Sequence, residues 1–360
     1  MSPEIELEKQ RIYPRWEQKG PKPNLDLFRT VAVIFVVADH LMLTLGIAKP
    51  GPRSLAWIGV LGVYMFFVHT CLVLMWSLDR KPHPLDFYIR RAFRIYPLAI
   101  FAVFCAVLVH LREMPSFVSS PRPSVSTIVA NCLLLQNIVI RKDIIGPFWS
   151  LPLEVDMYVA LPFLYFFVRK NMTLWPLFLL SGLTLGLSHE IWWWQGANTF
   201  ASVIPCFLMG IVAYVLFERV SPRCPAWTFP IFLAIVTIFY MWHPGVPASY
   251  PTCLILGLGL PFFEQIRSRV LVRASHEIAK YSYGIYLSHM FGLTLAFYGL
   301  RGHSLALQAA VFLLSVAAFS VAGYHLLEKP MIDFGARVAA RAERRYEAKL
   351  KEEGVPVPAD

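Results

Sequence analysis

Charge is scarce in this 360-residue chain: Asp, Glu, Lys and Arg make up 16% of it, against about 25% in soluble domains. With 57% hydrophobic residues, that shortage excludes an ordinary soluble globular protein. Cysteine is also sparse. The six, at positions 71, 105, 132, 206, 224 and 253, show no paired spacing and lie mostly within apolar runs. They read as small core residues, not as a disulfide or metal framework. No HExxH, CxxC, P-loop or GxGxxG pattern occurs, so metal and nucleotide-fold readings have no support. No soluble domain fits between the apolar runs, and the apolar part must carry whatever chemistry there is.

What the chain does have is a succession of apolar runs of about 18 to 22 residues, the length of a membrane-spanning helix. The pattern predicts an all-α polytopic bundle. About ten spans are expected, near 27–47, 57–78, 95–112, 148–168, 173–190, 200–217, 225–243, 250–266, 281–300 and 305–327. The segment 126–140 is short, carries Asn131, Gln136 and Asn137, and reads as re-entrant or interfacial. Counting it as a span would put the basic C-terminal tail opposite the N-terminus, against the positive-inside rule. With ten spans, the basic loops at 79–94, 169–172, 218–224 and 267–280 fall on the cytoplasmic side with both termini. Only Lys49, Arg53, Arg112, Arg122, Arg141, Lys142 and Arg301 fall outside, seven of the 33 Lys and Arg. The net charge of +10 thus follows topology and does not require a nucleic-acid partner. Residues 1–26 read as a cytoplasmic segment, 27–334 as the membrane domain and 335–360 as a basic cytoplasmic tail. Within that tail, 336–353 reads as a solvated charged helix near anionic lipid. The first apolar run contains Arg29, Asp39 and His40, so it reads as a retained helix and not a signal peptide. Trp192, Trp193 and Trp194 suit an outer-interface aromatic belt.

Polar residues inside a bilayer are costly and mark functional sites by default. Arg29 and His40 share one apolar run with ten residues between them. Eleven steps of about 100° return a helix to within roughly 20° of its start, some 16 Å along its axis. A guanidinium at the membrane edge and an imidazole deep inside suit a ligand that is long, anionic at one end and reactive at the other. Arg90, Arg91 and Arg94, in FYIRRAFRIYPL, enter the third expected helix from the cytoplasmic side. Arginine forks match phosphate oxygens bidentately, although juxtamembrane arginines also serve as plain anchors. Glu154, in FWSLPLEVDMY, must pair or be protonated in its helix, and a histidine such as His40 would satisfy it. Asp39 is a weaker orienting candidate, because adjacent helical residues diverge by about 100°. His69, His289 and Glu328 read as structural, with Lys329 available to neutralise Glu328.

In this order, NLDLFRTVAVIFVVADH, GVYMFFVH, FYIRRAFRIYP, FWSLPLEVDMY, YSYGIYLSH and HLLEKP resemble the acyltransferase-3 family of integral membrane acyltransferases. The resemblance runs from residue 24 to about 334. It implies transfer of an acyl group, usually acetyl, from cytoplasmic acyl-coenzyme A to a hydroxyl on an exported glycan or lipid-linked sugar. The family's arginine–histidine pair matches Arg29 and His40, its arginine triplet Arg90, Arg91 and Arg94, and its acidic residue after Trp-Ser-Leu matches Glu154. The chain departs at His69-Thr70, where many relatives have Ser-Gly.

On this reading acyl-coenzyme A is a co-substrate held through its phosphates by Arg29, Arg90, Arg91 and Arg94, with no metal. His40 is the general base, oriented by Glu154 or Asp39. The expected location is a bacterial inner membrane. Two other classes stay open: a proton-coupled transporter of a glycan or lipid precursor, and a non-catalytic partner in a glycan export complex. Covalent transfer of labelled acetyl separates the first from an enzyme. Function surviving loss of both His40 and Glu154 would mark the second.

Overall fold

The computed structural model describes residues 22–51, 53–109, 123–139, 141–171, 173–195 and 200–352. The expected polar N-terminal segment up to residue 21, the side chains of Trp192–Trp194 and the end of the tail from 353 lie outside the described residues. The described residues are helical, with no β-strand and one isolated bridge between Cys224 and Phe263. Among the described residues six helical segments are long and apolar enough to cross a membrane: Pro23–Thr44, Trp57–Arg80, Pro84–Val109, Gly146–Lys170, Phe200–Arg219 and Leu305–Tyr346. Trp175–Ser188, Thr228–Trp242 and Ala248–Phe262 are apolar but shorter. They overlap three of the ten expected spans. A fourth, expected at 281–300, coincides with the C-terminal half of a helix that starts in polar sequence at Arg269.

The first helices follow from local signals. α1 (Pro23–Thr44) opens on proline with Asp26 in its first turn; proline's missing N–H costs nothing there and the carboxylate suits the helix dipole. After α2 (Trp57–Arg80), α3 (Pro84–Val109) again opens on proline with Asp86 in its first turn. It begins well before the expected residue 95. Arg90 Nε donates to Asp86 Oδ2 at 2.6 Å, one turn back, so the arginines are absorbed into the helix rather than preceding it. α4 (Val125–Cys132) has eight residues, about 12 Å at 1.5 Å per residue, too short to span. Fully buried Asn131 closes the loop after it, with Nδ2 donating to Thr127 O and Lys142 O and Oδ1 accepting from Ile144 N. A 3₁₀ turn, Gly146–Trp149, leads into α5 (Ser150–Asn171).

The chain continues through α6 (Trp175–Gln195), α7 (Phe200–Arg219), α8 (Thr228–Trp242), α9 (Val246–Gly259), α10 (Arg269–Leu293), α11 (Leu305–Gly323) and α12 (Lys329–Glu352). The described helices divide into two compact units. One holds the residues up to Asp39, Gly51–Asp79 and Tyr165–Lys280. Its core sets α2 against α7: the Phe67 and Phe207 rings lie 4.2 Å apart, and Gly210 brings the backbones close. A methyl group at 210 would overlap the Val68 carbonyl oxygen and lie 2.8 Å from Cys71 Cβ.

The second unit holds His40–Pro50, Arg80–Leu164 and residues from Tyr281 onward. There the expected solvated tail proves to be a packed helix. Phe93 of α3 meets Phe334 at 5.3 Å, His83 meets Tyr346 at 5.7 Å, and Lys81 pairs with Glu343 at 3.2 Å. Helix runs from α11 to α12 through a π turn, Tyr324–Glu328. Pro330 has no N–H to send back one turn, and the wider π turn just before it accommodates that loss.

Gly210→Ala is expected to lower stability by about 1–3 kcal/mol, the usual cost of overpacking. Gly182→Ala, where a methyl group meets nothing within 4 Å, should be close to neutral. Thermal unfolding of the detergent-solubilised variants checks both.

Candidate functional site

In the second unit, α10 presents Tyr283, Tyr286 and His289 at three-residue steps. These lie within roughly 120° of its circumference and rise about 9 Å in all. Tyr283 donates to Ile95 O at 2.8 Å, and its ring lies 6.0 Å from the Arg94 guanidinium. Tyr286 donates to Pro147 O at 2.5 Å. With its proton committed there, Tyr286 receives the Ser150 hydroxyl at 2.6 Å. The His289 ring sits 5.0 Å from that of His40, which α1 carries at its C-terminal end, 7% exposed.

His289 is fully buried. Its Nδ1 lies 3.2 Å from Ile285 O, and a carbonyl can only accept, so in the neutral ring Nδ1 carries the hydrogen and Nε2 is a bare acceptor. That Nε2 has no hydrogen-bond partner among the described residues.

Around Tyr283 the charges gather. Arg94 forms an ion pair with Glu328, which is 1% exposed. Lys329, expected to neutralise that carboxylate, bonds Asp333 at 2.6 Å instead. One helical turn separates Lys329 from Asp333, whereas Glu328 faces α3. Arg90 pairs with buried Asp86, which Lys81 also approaches at 4.0 Å. Arg91 interacts electrostatically with Glu154 and Tyr158, and Tyr158 donates to Glu154 Oε1 at 2.7 Å. Glu154 therefore has a phenol partner and an arginine in its field. Arg90 and Arg94 keep side-chain exposures of 33% and 21%. Guanidinium N–H groups not spent on carboxylates suit phosphate oxygens.

The first unit holds Arg29, Asp39 and His69. Arg29 acts electrostatically on His69, whose ring lies 6.4 Å from Phe28. Asp39 packs its carboxylate against Gly59 so closely that a methyl group there would overlap it. α1 is continuous from Pro23 to Thr44, so Arg29 and His40 share a helix face as their spacing requires.

Among the described residues no group of three His, Cys, Asp or Glu side chains could hold a metal ion, and none of the six cysteines is in a disulfide. The placement of His289 beside His40 and of Tyr286 beside Ser150 is what sequence reasoning did not foresee. The available signal was the polar stripe 283, 286, 289 on an otherwise apolar helix half.

The loop before α5 carries one titrating carboxyl. Gln136 Nε2 donates to Asp143 Oδ1 at 3.1 Å. Burial pushes the Asp143 carboxyl up from 3.8 to about 6, and the bond from Gln136 opposes the rise. The folded protein thus holds this proton more tightly than the unfolded chain. Its contribution to stability falls as pH rises from 3.8 through about 6 and is flat above. Asp143→Asn keeps the acceptor and removes the charge. It is expected to abolish this decline and to stabilise the protein at pH 8 by on the order of 1–3 kcal/mol, read as unfolding temperatures at pH 5 and pH 8.

The acyltransferase-3 family model, described as an acyltransferase domain, matches residues 22–325. A protein named as an acetyltransferase, ORF330 of Acidianus two-tailed virus, is 24% identical over 290 residues, covering 76% of this chain and 84% of its own. Acyltransferase MdmB of Streptomyces mycarofaciens is 33% identical over 158 residues, 41% of this chain and 40% of that protein. Nodulation protein 10 of Rhizobium leguminosarum bv. viciae is 23% identical over 369 residues, 89% of this chain and 96% of its own. No solved structure matches the chain. The family match across most of the chain, joined to its membrane-length apolar helices, makes this protein a member of the acyltransferase-3 family and a multi-pass membrane acyltransferase.

Proposed function

We propose that the protein is an O-acyltransferase of a bacterial inner membrane. It moves an acyl group, acetyl in the simplest case, from cytoplasmic acyl-coenzyme A to a hydroxyl of an exported glycan or lipid-linked sugar. The observation that carries this reading is the buried His40 imidazole on one helix face with Arg29, in a chain of this family. The distribution of Lys and Arg supports ten spans with both termini in the cytoplasm.

Arg29, Arg90, Arg91 and Arg94 hold the phosphates of the donor, and its thioester reaches His40. The acceptor hydroxyl gives its proton to His40 while its oxygen attacks the thioester carbonyl. The carbon–sulfur bond breaks, the departing thiolate takes the proton from His40, and the products are an ester and free coenzyme A. Neither a net proton nor a metal is needed.

His40→Ala is expected to abolish transfer of radiolabelled acetyl from acetyl-coenzyme A to membrane glycan while the protein still inserts in the membrane. Normal transfer by a folded His40→Ala protein overturns the reading. Arg90→Gln and Arg91→Gln should raise the apparent KM for acetyl-coenzyme A about tenfold, the scale of one lost charged hydrogen bond. A fall in protein abundance alone, with KM unchanged, would leave these arginines as membrane anchors.

A further inference from the structure

We infer that Asp86 is a positioning residue for the donor: it holds Arg90 by the inner nitrogen of the guanidinium and leaves the terminal pair to a phosphate of acyl-coenzyme A. The inference rests on the acyl-transfer reading, in which Arg90 contacts that phosphate, and names the group that sets its geometry.

Three features of the pair support it. Asp86 and Arg90 are one turn apart near the start of α3, and Nε of Arg90 donates to Asp86 Oδ2 at 2.6 Å. A guanidinium is a planar fork of donors. With Nε spent on Asp86, the edge formed by Nη1 and Nη2 remains, and such an edge matches two phosphate oxygens at once. The Asp86 side chain is 3% exposed and that of Arg90 33%. The anchor is therefore inside, and the arginine it holds stays accessible. Asp86 is itself held. Its backbone N–H donates to His83 Nδ1 at 3.4 Å. Lys81, paired with Glu343 of α12 at 3.2 Å, stands 4.0 Å from Oδ1.

An exposed i, i+4 ion pair supports a helix only slightly. Burying a carboxylate costs more than such a pair returns, and here it is the anion that is buried while the cation stays accessible. A loose arginine loses rotamer freedom when it takes up a ligand. One fixed in advance has already lost it. Asp86 thus lowers the cost of binding the donor and takes no part in the bond changes, so its effect belongs in KM and not in kcat. Its negative charge works the other way, against an anionic donor, and the test has to separate the two.

The test uses full-length protein in membranes of the expressing host, with radiolabelled acetyl-coenzyme A as donor and the glycan and lipid fraction of those membranes as acceptor. Asp86→Leu and Asp86→Asn both remove the charge, but only Asn keeps an oxygen that accepts from Arg90. Their difference therefore reports the positioning contact alone. KM for acetyl-coenzyme A should be about three- to tenfold higher in Asp86→Leu than in Asp86→Asn, the scale of freeing one long side chain, with similar kcat. KM does not depend on how much protein folds, so a purely structural role would not move it. In an Arg90→Gln background the difference should vanish, because the two residues act as one unit. Equal KM in the two Asp86 variants, with KM raised by Arg90→Gln, makes the positioning role wrong and leaves the donor clamp standing. A difference that persists in the Arg90→Gln background also overturns it, since Asp86 would then act through another group. Unchanged KM in Arg90→Gln removes Arg90 from the clamp and the inference with it.

Discussion

The ion pair between Arg94 and Glu328 sets the register of the second unit. Glu328 is buried at the end of the π turn that joins α11 to α12, and an unpaired carboxylate there would be heavily penalised. A buried pair gains little net energy over an apolar one, yet only one turn of each helix satisfies it. With Glu328 held against α3, α12 runs along that helix, where Lys81 meets Glu343 and Phe93 meets Phe334. Next to Arg94 in the chain, Ile95 receives the Tyr283 hydroxyl, which in turn fixes α10. The polar stripe of α10 then fixes what meets Ser150 and His40.

Much of this was legible in the sequence because it depends on periodicity and length. The apolar runs became helices, the short segment after residue 125 became an eight-residue helix and not a span, and Arg29 and His40 fell on one continuous helix. What was illegible depends on partners far away in the chain. Arg94 and Glu328 are 234 positions apart, and nothing near either residue announces the other. Local reasoning therefore assigned Glu328 to Lys329, its neighbour. The early start of α3 has a local origin instead. Arginines look like a loop flank until Asp86, one turn back, is seen to neutralise Arg90.

The tail misled for a related reason. Its alternating charges suit a solvated helix, and a hydropathy pattern cannot distinguish solvent from a charged neighbouring helix. His289 illustrates the limit most sharply. A single histidine on an apolar helix is ordinary by composition, and its meaning comes only from the ring opposite, on a helix at the other end of the chain.

Along α10 the polar groups are sorted by charge. At the Tyr283 end lie Arg94 with Glu328, and Arg91 with Glu154 in its field. About 9 Å further along the helix, at His289, the facing group is another imidazole. A full charge is cheapest where an opposite charge or water is at hand, and a neutral imidazole is the least costly base to keep where neither is. The sorting thus has an energetic origin independent of any ligand. It also matches the donor proposed for this protein, which carries its anionic charge at one end and an uncharged thioester at the other. On that reading the carboxylates Glu154 and Glu328 serve the arginines, holding their forks in place while leaving N–H groups to spare.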